Sequence, residues 1–206
     1  WSTEASEQMK LEIDSNVLLS LCNPAVYSVD NVGATAGKIS NNINLGATTA
    51  PLELVSDNPG VGETSIIDLL VDLGQTLDEQ NVPETGRWVL IPAWVASLIK
   101  KSELRDASVS GDGTSILRNG RLGMIDRFTL YSSNLLPSGV AGGFASGETP
   151  IIAGTSLGLT FASQMTQMES LRSESTFGTL IRGLQVFGYK VIKPEALAMA
   201  VVTKAA

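Results

Sequence analysis

Residues 87–137, RWVLIPAWVASLIKKSELRDASVSGDGTSILRNGRLGMIDRFTLYSSNLLP, decide how the rest of the chain is read. Trp88, Val89, Leu90 and Ile91 form a short continuous apolar run, the pattern of a strand buried on both faces, and Pro92 closes it because it has no ladder donor. Proline is tolerated at a helix start, where its missing N–H would be unpaired anyway. Trp94, Leu98 and Ile99, with Val95 beside them, then repeat at helical spacing up to Lys100 and Lys101, cations that suit a helix C-terminus. Turn formers gather over residues 108–121, with Asn119-Gly120 a two-residue hairpin signal between Leu117 and Leu122. Residues 123–134 alternate as a strand pair does, with Phe128, Leu130 and Ser132 on one face and Thr129 and Tyr131 on the other. Strand, helix, glycine-rich loop and paired strands in succession give a mixed α+β class.

Working outward toward the N-terminus, residues 63–86 hold an amphipathic helix and the turn that follows it. Ser65 offers an N-cap with Asp68 three residues on, and Ile66, Ile67, Leu69, Leu70, Leu73 and Leu77 make the apolar stripe to about Gln80. Gly74 weakens this helix by about 1 kcal/mol relative to alanine, a loss that suits close packing of another backbone. Residues 25–62 have no sustained period and read as a long, contact-making excursion with at most short helical turns. Residues 2–21 form a helix: Trp1, Ala5, Met9, Ile13, Val17 and Leu21 recur every four residues, Leu11 and Leu18 widen the stripe, and Asn23-Pro24 ends it. Twenty residues at 1.5 Å each make a rod of about 30 Å. Glu4, Glu7, Glu12 and Asp14 lie mostly off the stripe, as a solvated acidic face or as a contact with basic residues of a neighbouring subunit.

Toward the C-terminus, residues 138–148 are a glycine-rich surface loop and residues 150–154 an apolar strand. A strand follows from about Phe161; residues 169–176, ESLRSEST, read as a charged turn. Met165, Met168 and Leu171 fill irregular core or interface space. Phe177, Leu180, Ile181 and Leu184 allow a helix, an option that Gly178, Gly183 and Gly188 lower, and the run from Ala196 to Thr203 is a final apolar strand.

Composition narrows the chemistry. A net charge of −7 over 206 residues argues against a dedicated nucleic-acid binder, which needs clustered Lys and Arg to neutralise phosphates. No run of about 18 uncharged apolar residues offers a membrane span. Cys22 is the single cysteine, so neither an internal disulfide nor a multi-cysteine metal site can form. The absence of histidine removes the commonest general base and the Ser-His and Cys-His nucleophile pairs. Gly111-Asp112-Gly113-Thr114-Ser115 has the look of a phosphate nest but lacks the P-loop lysine and a preceding strand, and reads as a flexible turn. Asp106 with Asp112 lacks the carboxylate ladder of a calcium loop. Asp126, Arg127, Glu103 and Arg105 are candidates for ion pairs between subunits. No cofactor, metal or catalytic residue is assigned.

The order RWVLIPAWVASLIKK, LRDAS, SGDGTSILRNGRLGMIDRFTLYSSNLLP resembles the major capsid proteins of short-tailed bacteriophages, built on the Hong Kong 97-type capsid fold. FGTLIRGLQVFGYKVIKPEALAMAVV (residues 177–202) is similar to the strand and RPEA segment that closes that fold, with Lys193 in place of the arginine. MKLEIDSNVLLSL (residues 9–21) is similar to its long spine helix. The resemblance implies a peripheral domain from residues 1–24 (spine helix) and 161–192 (strands), and an axial domain from residues 25–160 with a return strand at 193–206. It places an N-terminal arm and an extended loop upstream of Trp1.

The implied function is structural, not enzymatic: copies self-assemble, as pentamers and hexamers, into an icosahedral head shell around double-stranded DNA. Implied partners are a scaffolding protein, a portal and a possible cement protein, with no membrane; the location is the virion, after assembly in the host cytoplasm. Candidate subunit-interface residues are Glu12, Asp14, Arg118, Arg121, Arg172 and Glu174. The alternatives are a capsid decoration or tail-adaptor protein and, further off, a phosphate-binding enzyme using the 111–115 loop.

Overall fold

The computed structural model describes residues 2–23, 29–102, 124–172 and 177–205. Three helices, α1 (Ser2–Leu21), α2 (Ile66–Glu79) and α3 (Ala93–Lys101), accompany ten strands. Eight of these form one sheet: β1 (Asn31–Val32), β2 (Leu52–Val55), β3 (Glu63–Ser65), β4 (Arg87–Ile91), β5 (Met124–Ile125), β6 (Phe128–Ser132), β7 (Thr149–Gly154) and β10 (Leu197–Lys204). The other two, β8 (Leu159–Arg172) and β9 (Thr179–Val191), pair only with each other.

The large sheet runs β3-β2-β10-β7-β4-β6-β5, with β1 beside the start of β10. β10 sits near its middle, antiparallel to β7 and parallel to β1 and β2, and its first six residues are buried. That explains its uninterrupted apolar sequence: a strand covered on both faces has no solvent side to make polar. β4 and β6 run parallel, joined through α3. The 25–62 segment departs from expectation, because it supplies two strands to the sheet where only helical turns were foreseen. Its loop presses Gly46 (φ +72°) onto β10, where Val201 N–H donates to the Leu45 carbonyl at 2.9 Å.

Two apolar clusters flank the sheet. The larger packs α2 and α3 on one face through Leu69, Leu73, Leu77, Val95 and Ile99 against Val89, Ile91, Phe128 and Ala200. The smaller gathers Leu21, Cys22, Phe144, Ile152, Met199 and Val201 on the other face, with Trp88 and Leu90 half-buried at its margin. β4 is therefore fully covered on its helix side only.

Ser65 caps α2 as expected, its hydroxyl accepting from Ile67 N–H at 3.3 Å. Gly74 meets a side chain, not a backbone: a Cβ there would lie 3.0 Å from Asp126 Oδ2. Residues 169–172 belong to β8 rather than to a turn. The 123–134 hairpin forms across a tight turn at Asp126 and Arg127, both with positive φ (42° and 67°). Phe128 and Leu130 are buried, while Thr129, Tyr131 and Ser132 are exposed. The Asn119-Gly120 hairpin, the 111–115 loop, Glu103, Arg105, Asp106 and Asp112 lie outside the described residues.

Candidate assembly surface

α1 lies beside the β8–β9 ribbon, whose strands pair with none of the large sheet. The ribbon is antiparallel from Leu159 opposite Val191 to Arg172 opposite Thr179, roughly 40 Å long at about 3.3 Å per residue. A bulge between Met165 and Gln167 shifts its register. On one side Phe161, Phe187 and Tyr189 make a ladder, successive ring centroids 6.4 Å apart, and the Tyr189 hydroxyl donates to the Asn16 carbonyl of α1 at 3.2 Å. Val191 reaches the smaller core cluster. The aromatic side thus backs onto the helix.

The opposite side is open. Leu184 and Val186 are each 55% exposed, Lys190 and Arg182 stand beside them, and Arg182 holds Glu169 across the strands through two bonds to Oε2, at 3.0 and 2.6 Å. At the tip the Arg172 guanidinium lies 5.6 Å from the centre of the Phe177 ring, which is fully exposed. Eight of the fifteen exposed large hydrophobic residues among those described fall on α1, the ribbon or Ile192 just beyond it, so exposed apolar surface is concentrated here. A two-stranded ribbon is marginal by itself in water and needs a covered face. Here α1 covers one.

The sequence candidates map unevenly onto this surface. Glu12 and Asp14 are exposed on α1, and Glu12 Oε1 accepts from Asn16 Nδ2 at 3.1 Å. Arg172 is exposed at the ribbon tip. Among the described residues no ion pair joins Arg172 to Glu12 or Asp14 within one subunit. Arg118, Arg121 and Glu174 lie outside the described residues, as do the side chains of Met165 and Met168. The helix stripe is shallower than its spacing implies: Met9, Ile13, Val17 and Leu18 are half-buried, Leu11 is exposed, and Leu21 is fully buried.

The main polar assembly is elsewhere, at the C-terminal end of α2, where three consecutive side chains fasten three segments. Asp78 accepts from Arg87 Nη2 at 2.6 Å and from Arg127 Nη2 at 3.0 Å. Arg127, a candidate for pairing between subunits, thus has partners within the chain, also reaching Glu84 at 3.1 Å. Burial pushes the Asp78 carboxyl upward, but hydrogen bonds and charge from Arg87 and Arg127 outweigh it and hold the pKa below the ordinary value. Glu79 accepts from the backbone N–H groups of Ser40 and Ile39, at 3.0 and 2.8 Å, which bring its pKa down to about 2. Gln80 donates to Asn31, whose own amide donates to the Glu195 and Leu197 carbonyls.

Arg87 is the residue the sequence did not announce. Its side chain is 0% exposed, and besides Asp78 it donates to the carbonyls of Val82 (2.7 Å), Pro83 (3.0 Å) and Gly74 (3.4 Å). Two of these carbonyls, Val82 and Pro83, lie in the turn beyond α2, and the third, Gly74, lies inside the helix, so the guanidinium ties the turn to the helix. At the head of an apolar run an arginine reads as a solvated flank. Its pairing with Asp78, nine residues upstream, was the available signal.

Nothing in these arrangements is a catalytic constellation. Among the described residues no group of three or more metal-ligating side chains converges, and no helix is long and apolar enough to cross a membrane. Cys22 is buried, and that burial pushes its thiol up to about 12, which keeps it protonated.

A helix lying on a long ribbon, joined to a mixed sheet that carries two helices on one face, is the Hong Kong 97-type fold of phage capsid subunits. The model of the Phage capsid protein family matches residues 1–200, and the chain belongs to that family. It is similar to a solved structure from Mycobacterium phage Che8, with 24% identity and a TM-score of 0.68 over 97% of this chain and 61% of that one. Similar folds occur in the capsid of cyanophage P-SCSP1u (15% identity, TM-score 0.63, 99% of this chain and 65% of that one) and the mature capsid of bacteriophage PhiM1 (12%, 0.56, 100% and 66%). The chain thus spans 61% and 65% of the first two of these structures. No curated protein matches it.

Proposed function

We propose that this chain forms most of a major capsid subunit, many copies of which close into the icosahedral head shell around double-stranded DNA. The observation that carries the reading is the open face of the β8–β9 ribbon: apolar at Leu184 and Val186, and uncovered by the described residues. Shell building needs head-to-tail contacts in which one patch meets a different patch on the neighbour. The exposed acidic side of α1, with Glu12 and Asp14, and the basic positions Arg172, Arg182 and Lys190 on the ribbon are such an unlike pair.

In this reading residues 1–24 and 161–192 are the peripheral part, and residues 25–160 with 193–206 the axial part. Axial parts meet as pentamers and hexamers, with Arg118, Arg121 and Glu174 at further contacts. The subunit has no enzymatic role. Scaffolding protein, portal and a possible cement protein are its partners, and assembly takes place in the host cytoplasm.

Electron microscopy and sedimentation of the full-length product, expressed with and without its neighbouring viral proteins, test the reading. Closed shells or rings are expected. A small monodisperse species under both conditions overturns it, and binding only to preformed shells identifies a decoration protein. Within that assay the E12K/D14K double variant is expected to stay folded but stop forming shells, and normal shells from it remove α1 from the contact.

A further inference from the structure

We infer that Arg127 is a releasable latch that holds β5 and the 126–127 turn, at the edge of the large sheet, against the end of α2. Two features set this edge apart. Its turn places two non-glycine residues, Asp126 and Arg127, in the left-handed region, φ 42° and 67°. Type I′ turns of this kind favour Asn-Gly, and an L side chain at such φ carries strain. The turn is docked through half-exposed polar contacts: Arg127 to Asp78 and Glu84, and Asp126 in the notch left by Gly74. Ile125 adds a partly buried apolar contact with the main core.

The charged groups around the latch are Asp78, Glu84, Asp126 and Arg87. They divide the work unequally. Arg87 is wholly buried and keeps Asp78 and the end of α2 in place whether or not Arg127 is engaged. Arg127 is 37% exposed, and water can replace its partners. The strain of two left-handed residues is of the same order as the return from two half-exposed ion pairs. β5 and its turn therefore lie close to balance between a docked and a released state, while β6, held through Phe128 and Leu130, stays locked in the buried core with β4, β7 and β10. Such an element opens locally without global unfolding. The inference concerns the unassembled subunit and stands apart from the assembly reading.

Hydrogen exchange of the full chain, followed by mass spectrometry on the peptide spanning residues 124–129, tests it. Arg127→Ala is expected to speed exchange there about tenfold and to leave β4, β7 and β10 as slow as in the wild type. The double variant D126N/R127G builds an unstrained turn and is expected to return to slow exchange although it lacks the guanidinium. Unchanged exchange in Arg127→Ala, acceleration spread over β7 and β10, or a double variant as fast as the alanine variant overturns the latch. Should Arg127→Ala fail to fold, Arg127→Lys serves in its place. It keeps the charge without the fork and is expected to exchange at an intermediate rate, and wild-type exchange from it likewise overturns the inference.

Discussion

Replacing Arg87 should cost several times more stability than replacing its ion-pair partner, Asp78. The guanidinium is 0% exposed and makes four hydrogen bonds, three of them to carbonyls of α2 and of the turn beyond it; the Asp78 side chain is 40% exposed. Arg87→Ala takes from the Val82 and Pro83 carbonyls their side-chain donor and opens space under β4. Removing one member of a buried charged pair costs about 3–5 kcal/mol, and each abandoned buried acceptor about 1–3 kcal/mol within that total. Arg87→Lys keeps the charge but cannot reach acceptors on several sides at once, for about 2–4 kcal/mol. Asp78→Asn is different. Arg87 retains its three carbonyl partners, asparagine still offers an oxygen, and water reaches the site, so the loss is that of a partly exposed pair, about 1 kcal/mol.

Urea unfolding of the unassembled subunit, followed by tryptophan fluorescence, measures all three, since Trp88 adjoins Arg87 and Trp94 lies on α3. Midpoints should fall in the order Asp78→Asn, Arg87→Lys, Arg87→Ala with the slope unchanged. Equal losses in Asp78→Asn and Arg87→Ala would refute the reasoning, because the ion pair rather than the capped carbonyls would then carry the energy.

Three further outcomes follow from single positions. Gly46→Ala puts a methyl group against the Val201 carbonyl oxygen at a backbone φ of +72° and should cost about 2 kcal/mol or more by the same unfolding assay. Glu79, its pKa lowered from 4.5 to about 2 by the Ser40 and Ile39 N–H groups, contributes stability that is complete above its unfolded pKa and lost as pH falls toward 2. Glu79→Gln should flatten the acid side of the stability–pH curve in that window, and an unchanged curve would deny the carboxylate this role. Cys22, buried and pushed up to about 12, should react with a disulfide reagent near pH 8 only as fast as the protein opens, so fast labelling of the folded chain would contradict its placement.

Much of the fold was legible because its signals are local. The spacing of Leu69, Leu73 and Leu77, the Ser65 cap, and the run of residues 88–91 closed by Pro92 each name an element without reference to the rest of the chain. What escaped depends on distant partners. β1 and β2 are strands because β10 receives them, and runs of two to four residues are too short to establish a period. The docking of Asp126 against Gly74 joins positions 52 apart by number, and Arg87 at the head of an apolar strand looked like a solvated end.

The assembly surface was half legible for a different reason. In β9, Phe187 and Tyr189 lie on one side and Leu184 and Val186 on the other, so the strand is apolar on both sides, the pattern of a strand covered on both. One subunit covers a single side with α1 and leaves Leu184 and Val186 in water. The same excess appears at Phe177, fully exposed at the ribbon tip. In β10, by contrast, the apolar run from Leu197 to Val202 is wholly buried within the chain. The two strands obey one rule. β10 finds both of its covers in its own sheet and helices, whereas β9 finds one among the described residues, and under the proposed function the side with Leu184 and Val186 is the one that assembly covers.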